Sequence, residues 1–242
     1  MSKPKLSKEE LRSRLENREG RYLYQVDQLT SPAYTQDIFD YVISHELNGE
    51  LKNIKKSRRE SSYILNRAKI NSNKDSNRCE EHIVSDLFIK QRESHAEDPI
   101  FGNLIEYQVP LSNEDSDNAG KIDFIHLQNG VLYLNEIKAP KSQESLMKAI
   151  LEIQTYYQIV DHEKLLEDII EARKDLQKVG NPPIEVGNFP IEIKKCITIF
   201  NGTRAYQQYK GDENSPIKQL LKVFDIRVIV LHQNGETLER VN

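Results

Sequence analysis

Three features of the 242-residue chain predict an α/β fold: a tight hairpin at residues 121–140, amphipathic helical stretches on both sides of it, and further strand-like runs afterwards. The hairpin reads KIDFIHLQ, Asn129-Gly130, then VLYLNEIK, so alternating apolar residues flank the strongest short turn signal. A two-residue turn fixes the register by placing Gln128 opposite Val131. Asp123 then faces Glu136. Side chains alternate along a strand, so Lys121, Ile125, Leu127, Leu132, Leu134 and Lys138 share that face.

Taken in order, residues 5–19 are helical in composition but carry few apolar positions beyond Leu6, Leu11 and Leu15. Ser31-Pro32 starts an amphipathic helix with Ile38, Phe39, Val42, Ile43 and Leu47 at helical spacing, closed by Asn48-Gly49. A basic cluster of Lys52, Lys55, Lys56, Arg58 and Arg59 follows, before Tyr63 and Ile64. The polar, turn-forming stretch at 71–77 marks the boundary between a helical extension, 1–76, and a core, 77–242. Asn77 and Glu80 form a capping-box pattern ahead of a helix with Ile83, Val84, Leu87 and Phe88.

Residues 102–111 read as the first strand, and 112–120 as an acidic loop. Its Asp115, Asp117 and Gly120 imitate a calcium loop, but Ala119 and His126 stand where ligands are required, which excludes that reading. After the hairpin, Pro140 ends the strand. A helix with Leu146, Ile150, Ile153 and Tyr157 follows, then a second helix stopped by Gly180-Asn181-Pro182-Pro183. Residues 190–200 alternate as a strand, Ser215-Pro216 begins a short helix, and 225–232 form the last strand expected.

The formal net charge is −4, which gives no global signal for binding a polyanion. The balance is uneven, with the first 78 residues basic and the remainder acidic. The basic cluster at 52–59 suits nucleic-acid backbone contact, and an ordinary exposed helical face suits it slightly better. Cys79 and Cys196 cannot build a disulfide framework or a zinc cluster and read as reduced thiols. No apolar run approaches membrane length and the N-terminus lacks a signal-like core, so the expectation is a cytoplasmic chain with no membrane partner. The six histidines are scattered with no nucleophile beside them, which argues against Ser-His or Cys-His chemistry. His126 falls on the face opposite Asp123 and reads as a packed or surface residue.

Like charges opposite each other on a sheet destabilise it unless something neutralises them, and a divalent cation would do so for Asp123 and Glu136. With an Asp on one strand and Glu136-Ile137-Lys138 on the next, the chain resembles the PD-(D/E)XK, or restriction-endonuclease-like, nucleases over about residues 77–232. The resemblance implies a central mixed sheet with an αβββαβ core flanked by helices, and metal-dependent hydrolysis of nucleic acid, DNA ahead of RNA. It implies Mg²⁺ (or Mn²⁺) held by Asp123, Glu136 and the Ile137 carbonyl, with Lys138 steadying the attacking water or the developing charge. It also implies an additional metal or water ligand, a carboxylate on the preceding helix for which Glu81 fits the pattern ahead of Glu80, and a Gln on the following helix that hydrogen-bonds near the active site or substrate, which Gln154 matches in part. Members often cut as dimers, which leaves a homodimer open.

Two other readings use the same residues. One is a non-catalytic module of the same fold that binds nucleic acid or protein. The other is an interaction domain in which the hairpin is an edge-strand charge cluster, with Glu136 paired to Lys138 or Lys121.

Overall fold

A computed structural model of the chain describes residues 7, 9–11, 13, 22–25, 34–43, 59–65, 79–113, 120–178, 180–183, 192–234 and 237–240. Its elements are α1 (Thr35–Ile43), α2 (Cys79–Ser94), β1 (Asn103–Pro110), β2 (Lys121–Gln128), β3 (Val131–Ile137), α3 (Leu146–Ile159) and α4 (His162–Lys178). Then come β4 (Glu192–Phe200), α5 (Arg204–Tyr209), α6 (Pro216–Val223), β5 (Ile226–Asn234) and β6 (Thr237–Arg240). Ser145, Thr203 and Ser215 each accept a backbone N–H at the start of α3, α5 and α6, so local capping sets where these helices begin.

The strands form one mixed sheet in the order β1-β2-β3-β4-β5-β6. The pairs β1–β2, β2–β3 and β5–β6 are antiparallel, while β3–β4 and β4–β5 are parallel and joined through helices. Asn129 and Gly130 sit at φ 52° and 76°, as a primed hairpin turn requires. The register is the expected one, from Gln128 opposite Val131 to Phe124 opposite Asn135. β6 extends the sheet beyond the last strand expected from sequence.

Period-two alternation divides the core. Ile125, Leu132, Leu134 and Ile197 pack with α3, while Phe124, Ile137, Cys196 and Ile229 pack with Val84, Leu87 and Phe88 of α2. The described parts of residues 1–76 join the first of these layers through Leu23, Tyr24, Tyr34, Ile38, Tyr63 and Ile64. The Tyr63 and Leu65 amides donate to Asp168 and Glu106, both at 2.8 Å, tying this segment to α4 and β1. Those described parts of the extension therefore belong to the core in space. No described helix is long and apolar enough to cross a membrane.

His126 lies in the α2 layer, fully buried, between Phe101, Phe124 and Tyr133 at ring separations of 5.4, 5.5 and 5.0 Å. Neither ring nitrogen has a hydrogen-bond partner. Burial, helped by the Arg227 charge, pushes its pKa down to about 3. A base lowered on folding takes up protons in the unfolded chain first, so its contribution to stability is lost as pH falls below the unfolded value. His126→Phe fills the same aromatic slot without this penalty. Its stability relative to wild type should rise by roughly 2 kcal/mol between pH 7.5 and pH 4.5, as measured by urea unfolding.

Candidate active site

The hairpin opens just where its charged residues begin. Beyond the Phe124–Asn135 pair the Asp123 side chain takes over, its Oδ2 accepting the Ile137 N–H at 2.8 Å. On its other side β3 continues into β4, with the Lys138 N–H donating to the Thr198 carbonyl at 2.9 Å. Gln108 of β1, held at φ 49°, donates through Nε2 to Asp123 Oδ1 at 3.3 Å. A non-glycine residue in this region is strained, and here the distorted residue is a partner of the carboxylate.

Lys138 is 4% exposed, and its ammonium is enclosed by three carboxylates: Glu136 at 2.8 Å, Glu144 at 2.8 Å and Glu152 at 2.5 Å. Lys148 bonds Glu144 and lies 3.7 Å from Glu152. Glu144, just before α3, and Lys148, Glu152 and Tyr156 on it recur every four residues, so one stripe faces the end of the hairpin. Burial alone would lower the Lys138 amine, but Glu136, Glu152 and Glu144 together hold it well above its ordinary value.

The carboxylates respond in the opposite direction. Burial pushes Asp123 up to about 7 despite the Ile137 N–H and Lys138, with Glu152 and Glu80 adding to the rise. Burial also raises Glu136 well above the carboxylate range, followed by the Asp123 charge beside it. Tyr156 and Tyr24 close one flank, hydroxyl to hydroxyl, with their rings edge to face at 5.5 Å. Both are raised chiefly by burial, Tyr24 to about 12. Gly120, at φ 83°, makes room for this pair, since a Cβ there would stand 2.8 Å from the Tyr156 hydroxyl.

Asp123, Glu136, Ile137 and Lys138 are thus together, and Glu136 does pair with Lys138, but β2 and β3 are both paired on each side, so the cluster does not lie on an edge strand as the interaction-domain reading expected. The helix carboxylate is a correction. Glu80, not Glu81, turns its Oε1 to the Ala139 N–H at 3.2 Å and acts on Asp123. Gln154 is not among these groups. Its Oε1 accepts from Lys195 of β4 at 2.8 Å, while Glu152, two residues earlier, points to Lys138. Arg59 is also corrected: it is 7% exposed, and its guanidinium donates to the Ser62 and Ser112 carbonyls, which leaves it a tether rather than a phosphate contact. Lys52, Lys55, Lys56 and Arg58 lie outside the described residues, as does Asn77.

Sequence reasoning missed Glu144, Glu152, Tyr24 and Tyr156. The available signal was Glu152 itself, a carboxylate between Leu151 and Ile153 in a largely apolar, buried helix. The chemistry of the cluster fits a hard divalent cation. Five carboxylates, Glu80, Asp123, Glu136, Glu144 and Glu152, outnumber the ammonium groups of Lys138 and Lys148. Among the described residues no three His, Cys, Asp or Glu groups converge to hold an ion alone. A pair of carboxylates with water completing the shell is the usual magnesium arrangement. Compared with family models, curated proteins and solved structures, the chain matches none.

Proposed function

We propose that the chain is a Mg²⁺- or Mn²⁺-dependent nuclease of the PD-(D/E)XK kind, hydrolysing phosphodiester bonds in nucleic acid, DNA first. The observation that carries this reading is the meeting of Asp123 and Glu136 at the opened end of the hairpin, both raised by burial, with Lys138 two residues along the same strand. The order α2, β1, β2, β3, α3, β4 supports it, since it follows αβββαβ with α4 inserted before the final strand.

Asp123 and Glu136 would hold the cation, which when bound supplies an acidified water and charge neutralisation at the phosphate. Asp123 is oriented for this by the Ile137 N–H and Gln108. Lys138 stays protonated, so it donates to an anionic oxygen and does not serve as a base. Glu152 and Glu144 fix the position from which it does so.

The enclosure of Lys138 by three carboxylates specifically favours the second reading, a non-catalytic module in which the cluster is a structural ion-pair network. One comparison separates them: cleavage of single-stranded, double-stranded and branched DNA and of RNA, in Mg²⁺ or Mn²⁺, by wild type, Asp123→Asn and Glu136→Gln. The nuclease reading expects each near-isosteric variant to lose about 10²-fold or more in rate while melting as a folded protein. Cleavage should also rise with pH through about 7, as Asp123 ionises. Mn²⁺ binding without cleavage of any substrate would leave the binding module.

A further inference from the structure

A second group of chemically unusual residues lies apart from the carboxylate cluster. A cleft of about 370 Å³ opens between the start of α4, β4 and Asp225, and none of its lining residues belongs to that cluster. Tyr157, Leu166 and Ile193 give it apolar walls, and Lys195 lies on its inner side, 8% exposed. The Lys195 amine donates to Gln154 Oε1 at 2.8 Å and rests 4.5 Å from the Tyr157 ring centre and 5.9 Å from that of Phe224.

The neighbouring Lys194 takes the nearby carboxylates, Glu192 at 3.3 Å and Asp225 at 3.6 Å. Lys195 is left with an amide and two ring faces, and among the described residues no carboxylate pairs with it. An amide oxygen and ring faces hold an ammonium less strongly than a carboxylate does, so burial still favours the neutral form, and an amine in such a pocket is a nucleophile. Burial lowers Lys195 to about 8, against a weaker opposing effect from Asp225.

We propose that Lys195 is a nucleophilic site in its own right, capturing a small uncharged aldehyde or ketone that enters this cleft as a reversible imine. The nitrogen lone pair attacks the carbonyl carbon, and a proton passes from nitrogen to oxygen to give a carbinolamine. The C–O bond then breaks, the oxygen leaves as water with the second N–H proton, and the C=N bond forms. No electrons are gained or lost. Glu163, Glu192 and Asp225 surround the opening against Lys194 alone, with His162 turned to the Tyr157 carbonyl at 2.9 Å, so a carbonyl compound bearing an anionic group is disfavoured.

The test uses the full chain with 3-hydroxybenzaldehyde and cyanoborohydride, which fixes the imine, and locates adducts by peptide mass mapping. Lys195 should be modified about tenfold or more faster at pH 7.4 than the exposed Lys178 and Lys222, because far more of it is neutral. Its rate should climb through pH 8. Glyoxylate, an anionic aldehyde, should label it several-fold more slowly relative to the same reference lysines. Gln154→Glu, which puts a carboxylate beside the amine and keeps it protonated, should abolish the advantage without unfolding the chain. Labelling of Lys195 no faster than Lys178, or unchanged in Gln154→Glu, would overturn the proposal. Neither result depends on the nuclease reading.

Discussion

Lys138→Ala is expected to lower the free energy of unfolding by roughly 3–5 kcal/mol at pH 8, the cost of leaving buried charge unpaired. Exposed ion pairs contribute about 0–1 kcal/mol, so the size of the effect is itself diagnostic. Lys138 is 4% exposed, and Glu136 and Glu152 beside it are 6% exposed each, so water cannot replace the ammonium. Without it, Glu136, already raised by burial and by the Asp123 charge, must be protonated to remain buried. The destabilisation should therefore shrink on going from pH 8 to pH 5.5, as followed by urea unfolding with circular dichroism. Glu152→Gln should cost less, since Lys138 keeps Glu136 and Glu144. Mn²⁺ adds a further arm. If the carboxylates accept a cation, millimolar Mn²⁺ restores part of the stability lost in Lys138→Ala, whereas a purely structural network gains nothing from it.

The parts of this site that the sequence made legible are those governed by local geometry. A two-residue turn leaves one register, and strand periodicity then places Asp123, Glu136 and Lys138 on one face with no knowledge of the rest of the chain. The missed groups depend on how helices dock. Glu80 and Glu81 differ by one position, about 100° of helix rotation, and only the packing of α2 against the sheet decides between them. Glu152 and Gln154 are two residues apart on α3, and their opposite destinations follow from Lys138 at the end of β3 and Lys195 in β4. The case of Arg59 is similar. Its charge density suggested an exposed face, but carbonyls at Ser62 and Ser112 claim it, the latter from far along the chain. Tyr24 reaches the site from the extension through the core it shares with α3, a long-range contact with no local signature.

Asp123→Asn is expected to make the metal-free protein more stable at alkaline pH and to remove its response to divalent ions. In the wild type this carboxyl titrates at about 7 when folded against 3.8 otherwise, burial being the main cause. The folded state therefore holds the extra proton between those values, and stability is lost as pH rises through the window. Asparagine has no proton to lose, so the variant should gain roughly 1–3 kcal/mol on wild type between pH 5 and pH 8, allowing for the partial exposure of Asp123. The opposite acid-side slope from His126 is common to both proteins and cancels in the difference. Adding a divalent ion should reverse the order. An ion that binds only the folded state stabilises it by about 2.7 kcal/mol at a hundred times its dissociation constant, and that increment requires an ionised Asp123. Melting both proteins at pH 5 and pH 8, in EDTA and in Mn²⁺, gives the full comparison. Wild type should overtake the variant only at pH 8 with Mn²⁺. Equal stabilisation of both proteins by Mn²⁺ would mean that Asp123 holds no ion, and that the carboxylates serve only to keep Lys138 buried.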